Sequence, residues 1–569
     1  MQVVMAQKAG FCMGVRRAVQ IALRAAGEAP PPVYTYGPLI HNAQALMLLE
    51  TLNVYPLKGI PTQGQGTIII RAHGIPPQEK EALKKAGFHV IDGTCPRVLR
   101  VQALARRYSR QGFHVIIVGD PEHAEVKGLL GYAGDKGLVI SSPQEIDSLP
   151  PLQKYVILSQ TTQDTVLYTK IVQELLRRFP GGKVYNTICN ATHERQKEVR
   201  RLCKLCEAIV VVGGKNSANT KRLAQIAQQE GREVFLVETA HDLPLKRLQK
   251  FKRVGVTAGA STPNWVINQV IRTLENLPSP YEPGWKRWLR KLLRFCFESN
   301  LALGLGIFVL TLSNLVLMGL PSKIYYPLMA SCFCFGAHTL NRLMDIKSLR
   351  LNDPFRAQFL EKYRPFLLGL SLLSYLITLF MAWTYARSAF GLVVFLTLIT
   401  IIYSLPFFSK KQASRARWFP GVRSLFIALA WMSFSTLVPW ISENHPQSPY
   451  VLMAFSFLIA FIRAVFLEIL EVQGDGFVGK ETLPVFVGEK KTFQILYVAI
   501  GLLALVIVWG IRMITLLFIP VYCLLLLNLY RKRLLGQSLL LEGLTEALPI
   551  TTGIAIVRKA FIYKHSTQG

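Results

Sequence analysis

Three cysteines of this sequence share one local setting. Cys12 lies in KAGFCMGVRRA, Cys95 in DGTCPRV and Cys189 in NTICNATHERQ. In each case an apolar, strand-like run passes through small or turn-forming residues into a helix-like one. A lone cysteine is most often a small buried side chain. Three in equivalent settings are better read as thiolates for a soft metal centre. Two metals compete: zinc would take a fourth ligand, with His123 available, whereas a four-iron cluster ordinarily takes four thiolates. With three, one iron would keep an open position that acts as a Lewis acid on substrate oxygen.

The same strand-to-loop pattern carries polar residues in TIIIRAHGIPP, HVIIVGDPEHAEVKG, YVILSQTTQD, AIVVVGGKNSANTKRL and RVGVTAGASTP. His73, His123, Glu125, Thr161, Ser217, Asn219 and Ser261 stand at these strand ends, where α/β folds place their ligands. With His41, the imidazoles, Ser217, Asn219 and Ser261 form a donor set suited to a phosphate or diphosphate. Glu125, two residues after His123, is placed to donate a proton. These neighbours favour the iron cluster over zinc. Cys203 and Cys206 form an isolated CxxC within RQKEVRRLCKLCEAIVVV, which reads as a helix face rather than a metal or redox motif.

The elements that must position these residues alternate between short β-branched strands and helices up to about residue 278. That alternation predicts α/β units with parallel sheets. From about residue 298 the chain becomes a series of apolar runs of membrane-spanning length. Across 569 residues, 51% are hydrophobic and mean hydropathy is +0.31, so the excess sits in the second half. The N-terminus lacks a basic n-region and a long apolar stretch, as a cytosolic first half requires, and reduced thiols are expected there. A formal charge of +31 suggests nucleic acid. Its Lys and Arg instead gather in alternate loops of the apolar half, as the positive-inside rule expects. Nucleic acid is set aside as a partner.

The motifs GFCMGVRRA, AHGIP, DGTCP, GDPEHAEV, SQTT, KNSANT and GVTAGASTP, in this order over residues 1–278, resemble those of the 4-hydroxy-3-methylbut-2-enyl diphosphate reductase family. The resemblance implies a three-lobed α/β fold around a 4Fe-4S cluster held by Cys12, Cys95 and Cys189. It implies diphosphate binding by His41, His73, His123, Ser217, Asn219 and Ser261, proton relay by Glu125, and placement of the substrate hydroxyl by Thr161. The implied reaction is a reductive dehydroxylation that yields isopentenyl and dimethylallyl diphosphate. Its electrons come from a ferredoxin- or flavodoxin-type donor. Ala218 stands where many relatives have a second serine, so one diphosphate hydrogen bond worth ~1–3 kcal/mol is expected to be missing.

Residues 279–299, including GWKRWLRKLLRFCFE, read as a basic amphipathic segment. Nine spans are then expected near 300–320, 324–340, 366–384, 388–407, 421–441, 449–467, 493–511, 513–530 and 544–562. With cationic loops such as those around Lys410, Lys480 and Arg531 inside, the first half stays cytosolic on a multi-pass inner-membrane protein in contact with membrane lipid. Carboxylates at span ends are costly and usually functional. Glu468, Glu471 and Asp475 share one helical face, as do Asn341 and Asp345. Two such clusters on one side could hold Mg2+ bridging a diphosphate. The stretches GDGFVGKETLPVFVGEKKT and YSLPFF resemble the intramembrane UbiA-like prenyltransferases, over roughly 300–562. Where that family often has NDxxDxxxD, this chain has NRLMDIKSL, with Arg342 and Leu349 at altered positions and Asp353 as a substitute further along. Two other readings remain: a membrane half that is only an anchor, and a tethered metal-binding or redox-sensing module without turnover.

Overall fold

A computed structural model describes residues 1–278, 280, 283–404, 421–480, 482–532 and 539–566. Two compact units divide the chain, residues 1–281 and 282–569. The first contains three four-stranded sheets, parallel throughout. One orders Gln2–Met5, Arg253–Ala258, Ala208–Val212 and Glu233–Val237, so the two ends of the unit pair, with Val3 opposite Val254. The second orders Val54–Leu57, Val33–Tyr36, Thr67–Ile70 and His89–Asp92. The third orders Gly137–Ile140, His114–Val118, Tyr155–Ser159 and Lys183–Val184. Parallel sheets are covered on both faces, which explains their continuous apolar runs. Ile68 to Ile70, Val115 to Val118 and Ala208 to Val212 are buried without alternation. The three-lobed expectation holds, and each lobe contributes one of the three cysteines.

The second unit is helical. Among the described residues a helix falls on each of the nine expected stretches, but seven are long and apolar enough to cross a membrane, or eight if one bent pair counts as a span. The nine expected helices are present, and two of them fall short of that length and apolarity. Leu301–Leu317 has only 17 residues. Tyr325–Met344 carries His338, Asn341 and Arg342 near its end, which lower its hydropathy. The seven are Arg364–Tyr385, Arg387–Ser404, Val422–Ser442, Tyr450–Val478, Glu489–Ile511, Ile514–Arg531 and Leu540–Arg558. The chain is a multi-pass membrane protein. Most of the YSLPFF stretch and the loop containing Lys410 lie outside the described residues, as does Glu481.

Buried polar pairs tie this bundle together, as they must where no water is available. Arg463 forks onto Glu546, and Asn314 donates to Ser456 Oγ at 2.7 Å and Thr436 Oγ1 at 3.0 Å.

Candidate active site

Cys12, Cys95 and Cys189 each occupy the N-cap of a long helix: Met13–Glu28, Pro96–Arg110 and Asn190–Leu205. A helix N-terminus favours a thiolate through its unpaired amides and dipole. Their amides tie each thiol loop to the polar loop of its own lobe. Cys12 N donates to Ala260 O at 3.0 Å, Cys95 N to Ala72 O at 3.0 Å, and Cys189 N to Thr161 O at 2.9 Å. These acceptors are Thr161 itself and the residues preceding Ser261 and His73.

Contacts between lobes then bring the loops together. A Cβ on Gly14 would lie 2.5 Å from Cys95 Sγ, so glycine is what allows the Cys12 helix to meet the Cys95 loop. Arg17 Nη1 donates to Thr94 O at 2.9 Å, and Arg195 Nη2 to Gly10 O at 2.6 Å. Burial pushes the Cys95 thiol up, the amides of Arg97 and Val98 oppose it, and the charges of Cys12 and Cys189 add to the push. Cys95 thus feels the charge of both other cysteines. Among the described residues no three His, Cys, Asp or Glu close on a single ion.

One ring nitrogen of His123, the fourth ligand that zinc would take, is already engaged. His123 caps the helix Ala124–Ala133, its Nδ1 accepting from Glu125 N at 3.2 Å, and its ring packs on His73. The His41 and His73 rings are 5.2 Å apart, and those of His73 and His123 5.4 Å. Burial pushes all three imidazoles down, and Arg71 adds to this: His41 is lowered, His73 lies well below its usual value, and His123 falls to about 4. At neutral pH they are uncharged donors around a site beside the half-buried Arg71. Ser261 Oγ donates to His41 O at 3.4 Å. Ser217 caps Ala218–Gln229, accepting from Thr220 N at 3.4 Å, which leaves its hydroxyl proton able to donate. Ala218 is the first helical residue after that cap. His73 Nδ1 and Asn219 Nδ2 are buried without a hydrogen-bond partner, as ligand-binding groups are before the ligand arrives.

Glu125 is 1% exposed. Thr161 N donates to its Oε1 at 2.7 Å and Thr161 Oγ1 to its Oε2 at 2.8 Å. Burial pushes its carboxyl up to about 7 even though both Thr161 bonds pull the other way. A carboxylic acid with that value can hold and release a proton near neutrality. Arg71 was not singled out in the sequence, although it sits two residues before His73 at the end of a predicted strand. Cys203 and Cys206 are buried, and burial pushes Cys203 up to about 11, which disfavours a thiolate.

In the second unit the expected acidic cluster is only partly assembled. Glu468 is committed elsewhere: Ser424 Oγ donates to Oε1 at 2.6 Å and Leu483 N to Oε2 at 3.2 Å. Asp353 caps Pro354–Lys362 and pairs with Arg356 at 3.7 Å, so it does not replace the missing carboxylate. Arg342 bonds the Asn300 side chain. Asn341 lies one turn before Asp345 at the end of Tyr325–Met344, and Glu471 one turn before Asp475 on Tyr450–Val478. Lys480 joins the two clusters, bonding Asp345 and standing 3.8 Å from Asp475 Oδ1. Ser348 and Asn352 donate to that oxygen at 2.8 and 2.9 Å, whereas Asp475 Oδ2 is buried without a hydrogen-bond partner. Ser348 and Asn352 lie four apart on the next helix, Ile346–Asn352, so they share one face of it.

A family model described as LytB protein matches residues 3–275, and one described as UbiA prenyltransferase family matches residues 327–537. The 4-hydroxy-3-methylbut-2-enyl diphosphate reductase of Aquifex aeolicus (strain VF5) is 40% identical over 278 residues, which are 48% of this chain and 96% of that protein. The protein of the same name from Geobacter sp. (strain M21) is 43% identical over 272 residues, 48% of this chain and 96% of the relative. A solved UbiA homolog from Archaeoglobus fulgidus bound to DMAPP and Mg2+ is similar at 17% identity and a TM-score of 0.35. That match covers 46% of this chain and 99% of the other.

Proposed function

Because the chain belongs, through its first half, to the LytB family of 4-hydroxy-3-methylbut-2-enyl diphosphate reductases, we propose that this half removes the allylic hydroxyl of that diphosphate reductively. Two electrons and two protons convert the substrate to water and isopentenyl or dimethylallyl diphosphate. Cys12, Cys95 and Cys189 would hold a 4Fe-4S cluster. When bound, that group supplies the electrons, received singly from a ferredoxin- or flavodoxin-type donor.

The chain's own residues do the rest. His41, His73, His123, Ser217, Asn219 and Ser261 donate to the diphosphate, and its charge draws protons onto the imidazoles. Glu125 delivers a proton to the departing oxygen, with its carboxyl oriented by the two donors of Thr161. A single observation carries this reading: three imidazoles packed in series beside a protonatable, buried Glu125, on loops tied to one cysteine from each sheet. Anaerobic iron and sulfide analysis of the full chain, with turnover assayed on the same sample, tests it. Turnover without bound iron would overturn it.

For the second half, which carries a UbiA prenyltransferase-family domain, we infer Mg2+-dependent transfer of a prenyl group within the membrane. Asn341, Asp345, Glu471 and Asp475 offer the oxygen ligands Mg2+ prefers, and the unpartnered Asp475 Oδ2 is the atom best suited to it. Such a metal would offset the charge of a leaving diphosphate. The first half then lies on the cytosolic side, as the loops rich in Lys and Arg do.

A further inference from the structure

The helix Gly284–Glu298 separates its apolar and cationic residues around its axis, with Phe297 the one large apolar residue that falls among the cations, between Lys286 and Arg290. At 3.6 residues per turn, Trp285, Trp288, Leu289, Leu292, Leu293 and Phe295 fall on one continuous arc. Lys286, Arg287, Arg290, Lys291 and Arg294 fall on the opposite one. No residue of the helix is buried. Trp285 and Trp288 are each 64% exposed, and Leu289, Leu292 and Leu293 40–44%. Phe295 is 49% exposed, with one edge contact to Phe359 at 6.0 Å. An apolar surface this concentrated marks a contact with something other than water.

What covers it is indicated by the next element. Across Ser299 and Asn300 the chain enters Leu301–Leu317 with a 75° bend. The corner is built in. Asn300 has φ 64°, a conformation that asparagine tolerates better than most residues. Its Nδ2 donates to Thr339 Oγ1 at 3.0 Å, and its Oδ1 accepts from Arg342. Ser299 Oγ donates to Phe295 O at 2.6 Å. The helix therefore turns off the axis of the apolar helix that follows it instead of extending it. Five cations in its fifteen residues would also be costly in hydrocarbon.

We propose that Gly284–Glu298 is an interfacial helix that lies in the surface of the membrane spanned by the second unit, bound to anionic lipid. Its apolar arc enters the boundary between headgroups and acyl chains, where tryptophan is favoured. Its cations reach headgroup phosphates on either side, with Arg294 also 3.6 Å from Glu298 within the helix. Attachment of the first unit to the membrane then has two parts, the spans and a charge-dependent surface contact.

The test uses the full chain in nanodiscs of phosphatidylcholine alone or mixed with phosphatidylglycerol. Quenching by acyl-brominated lipid is compared between the wild type and the Trp285→Phe/Trp288→Phe variant, so that the difference isolates these two rings. The expected result is a lipid-quenched difference in anionic discs and slow hydrogen exchange over 284–298. Exchange should speed up at least about tenfold in uncharged discs or in Lys286→Glu/Arg290→Glu/Lys291→Glu. The charge-preserving Lys286→Arg/Arg290→Lys/Lys291→Arg variant should keep the slow exchange, which separates charge from misfolding. Quenching of the difference by aqueous iodide instead of brominated lipid overturns the proposal. So does a difference that neither agent quenches, which would mean that the first unit or a second copy covers the face. Exchange that ignores lipid charge overturns the anionic part.

Discussion

Replacing Glu125 with glutamine separates proton delivery from everything else the site does. The amide keeps the volume and still accepts from Thr161 N, while Thr161 Oγ1 can turn to accept from the new NH2 group. Cluster and diphosphate binding should persist. Turnover should fall by about 10²–10⁴, the usual scale for a lost general acid. The wild type should lose kcat/KM as pH rises through about 7, where Glu125 ionises, and this limb should be absent from the residual activity of the variant. The same shift makes a stability statement. The folded value of about 7 lies above the unfolded value near 4.5, so folding favours the protonated form. Ionised Glu125 then costs stability that is absent below the unfolded value and complete above the folded one. The difference, at about 1.4 kcal/mol per pH unit, is about 3 kcal/mol. Hydrogen exchange over Ala124–Ala133 in the full chain should show Glu125→Gln as the more stable protein at about pH 8, with the gain vanishing near about pH 4.5. Anaerobic turnover with a chemical reductant, from about pH 5.5 to about 9, supplies the kinetic arm. Activity within a few-fold of wild type, or an alkaline limb that survives the substitution, would refute Glu125 as the proton donor.

Serine at Cys12, Cys95 or Cys189 should remove the bound iron, while serine at the buried Cys203 or Cys206 should leave it; anaerobic iron content checks each. Gly14→Ala should also lose iron, because the added methyl overlaps Cys95 Sγ at a typical overpacking cost of about 1–3 kcal/mol. Inorganic diphosphate should bind more tightly as pH falls from about 7 toward about 5, since the depressed imidazoles take up protons as the anion enters; calorimetry in two buffers reads that uptake directly. Replacing Glu471 and Asp475 together by their amides should abolish Mg2+-dependent transfer from a labelled polyprenyl diphosphate to aromatic acceptors, with reductase turnover unchanged; transfer that survives removes these carboxylates from the mechanism.

Much of the first unit was legible because its chemistry and its architecture use the same short segments. A parallel strand covered on both faces must be apolar throughout, so Ile68 to Ile70 and Ala208 to Val212 announce themselves, and the residue types that break those runs are the ones at the site. What the sequence could not carry was the bonding between lobes. Nothing near Gly14 in the chain says that Cys95 will press against it, and although His41, His73 and His123 were read as one donor set, nothing in the sequence says that their rings pack in series with His73 in the middle.

The membrane unit shows the opposite relation between pattern and use. Spacing by three and four correctly put Glu468, Glu471 and Asp475 on one helical face, but a face spans several turns and different neighbours meet each turn. Ser424 and Leu483 reach Glu468 from other segments and take both of its oxygens, while Ser348 and Asn352 take one oxygen of Asp475 and leave the other. Three carboxylates of equal standing in the sequence therefore separate into a structural one, an ion-paired one and one half-buried among charges. Lys480 is the residue that decides between them. It already balances the two carboxylates a divalent ion would join, so a bound metal must displace its ammonium from Asp345 or share the site with it. A cation that holds the clusters together without metal also keeps the buried Asp475 and the partly exposed Asp345 from repelling each other, which lowers the cost of placing the pair at the membrane boundary.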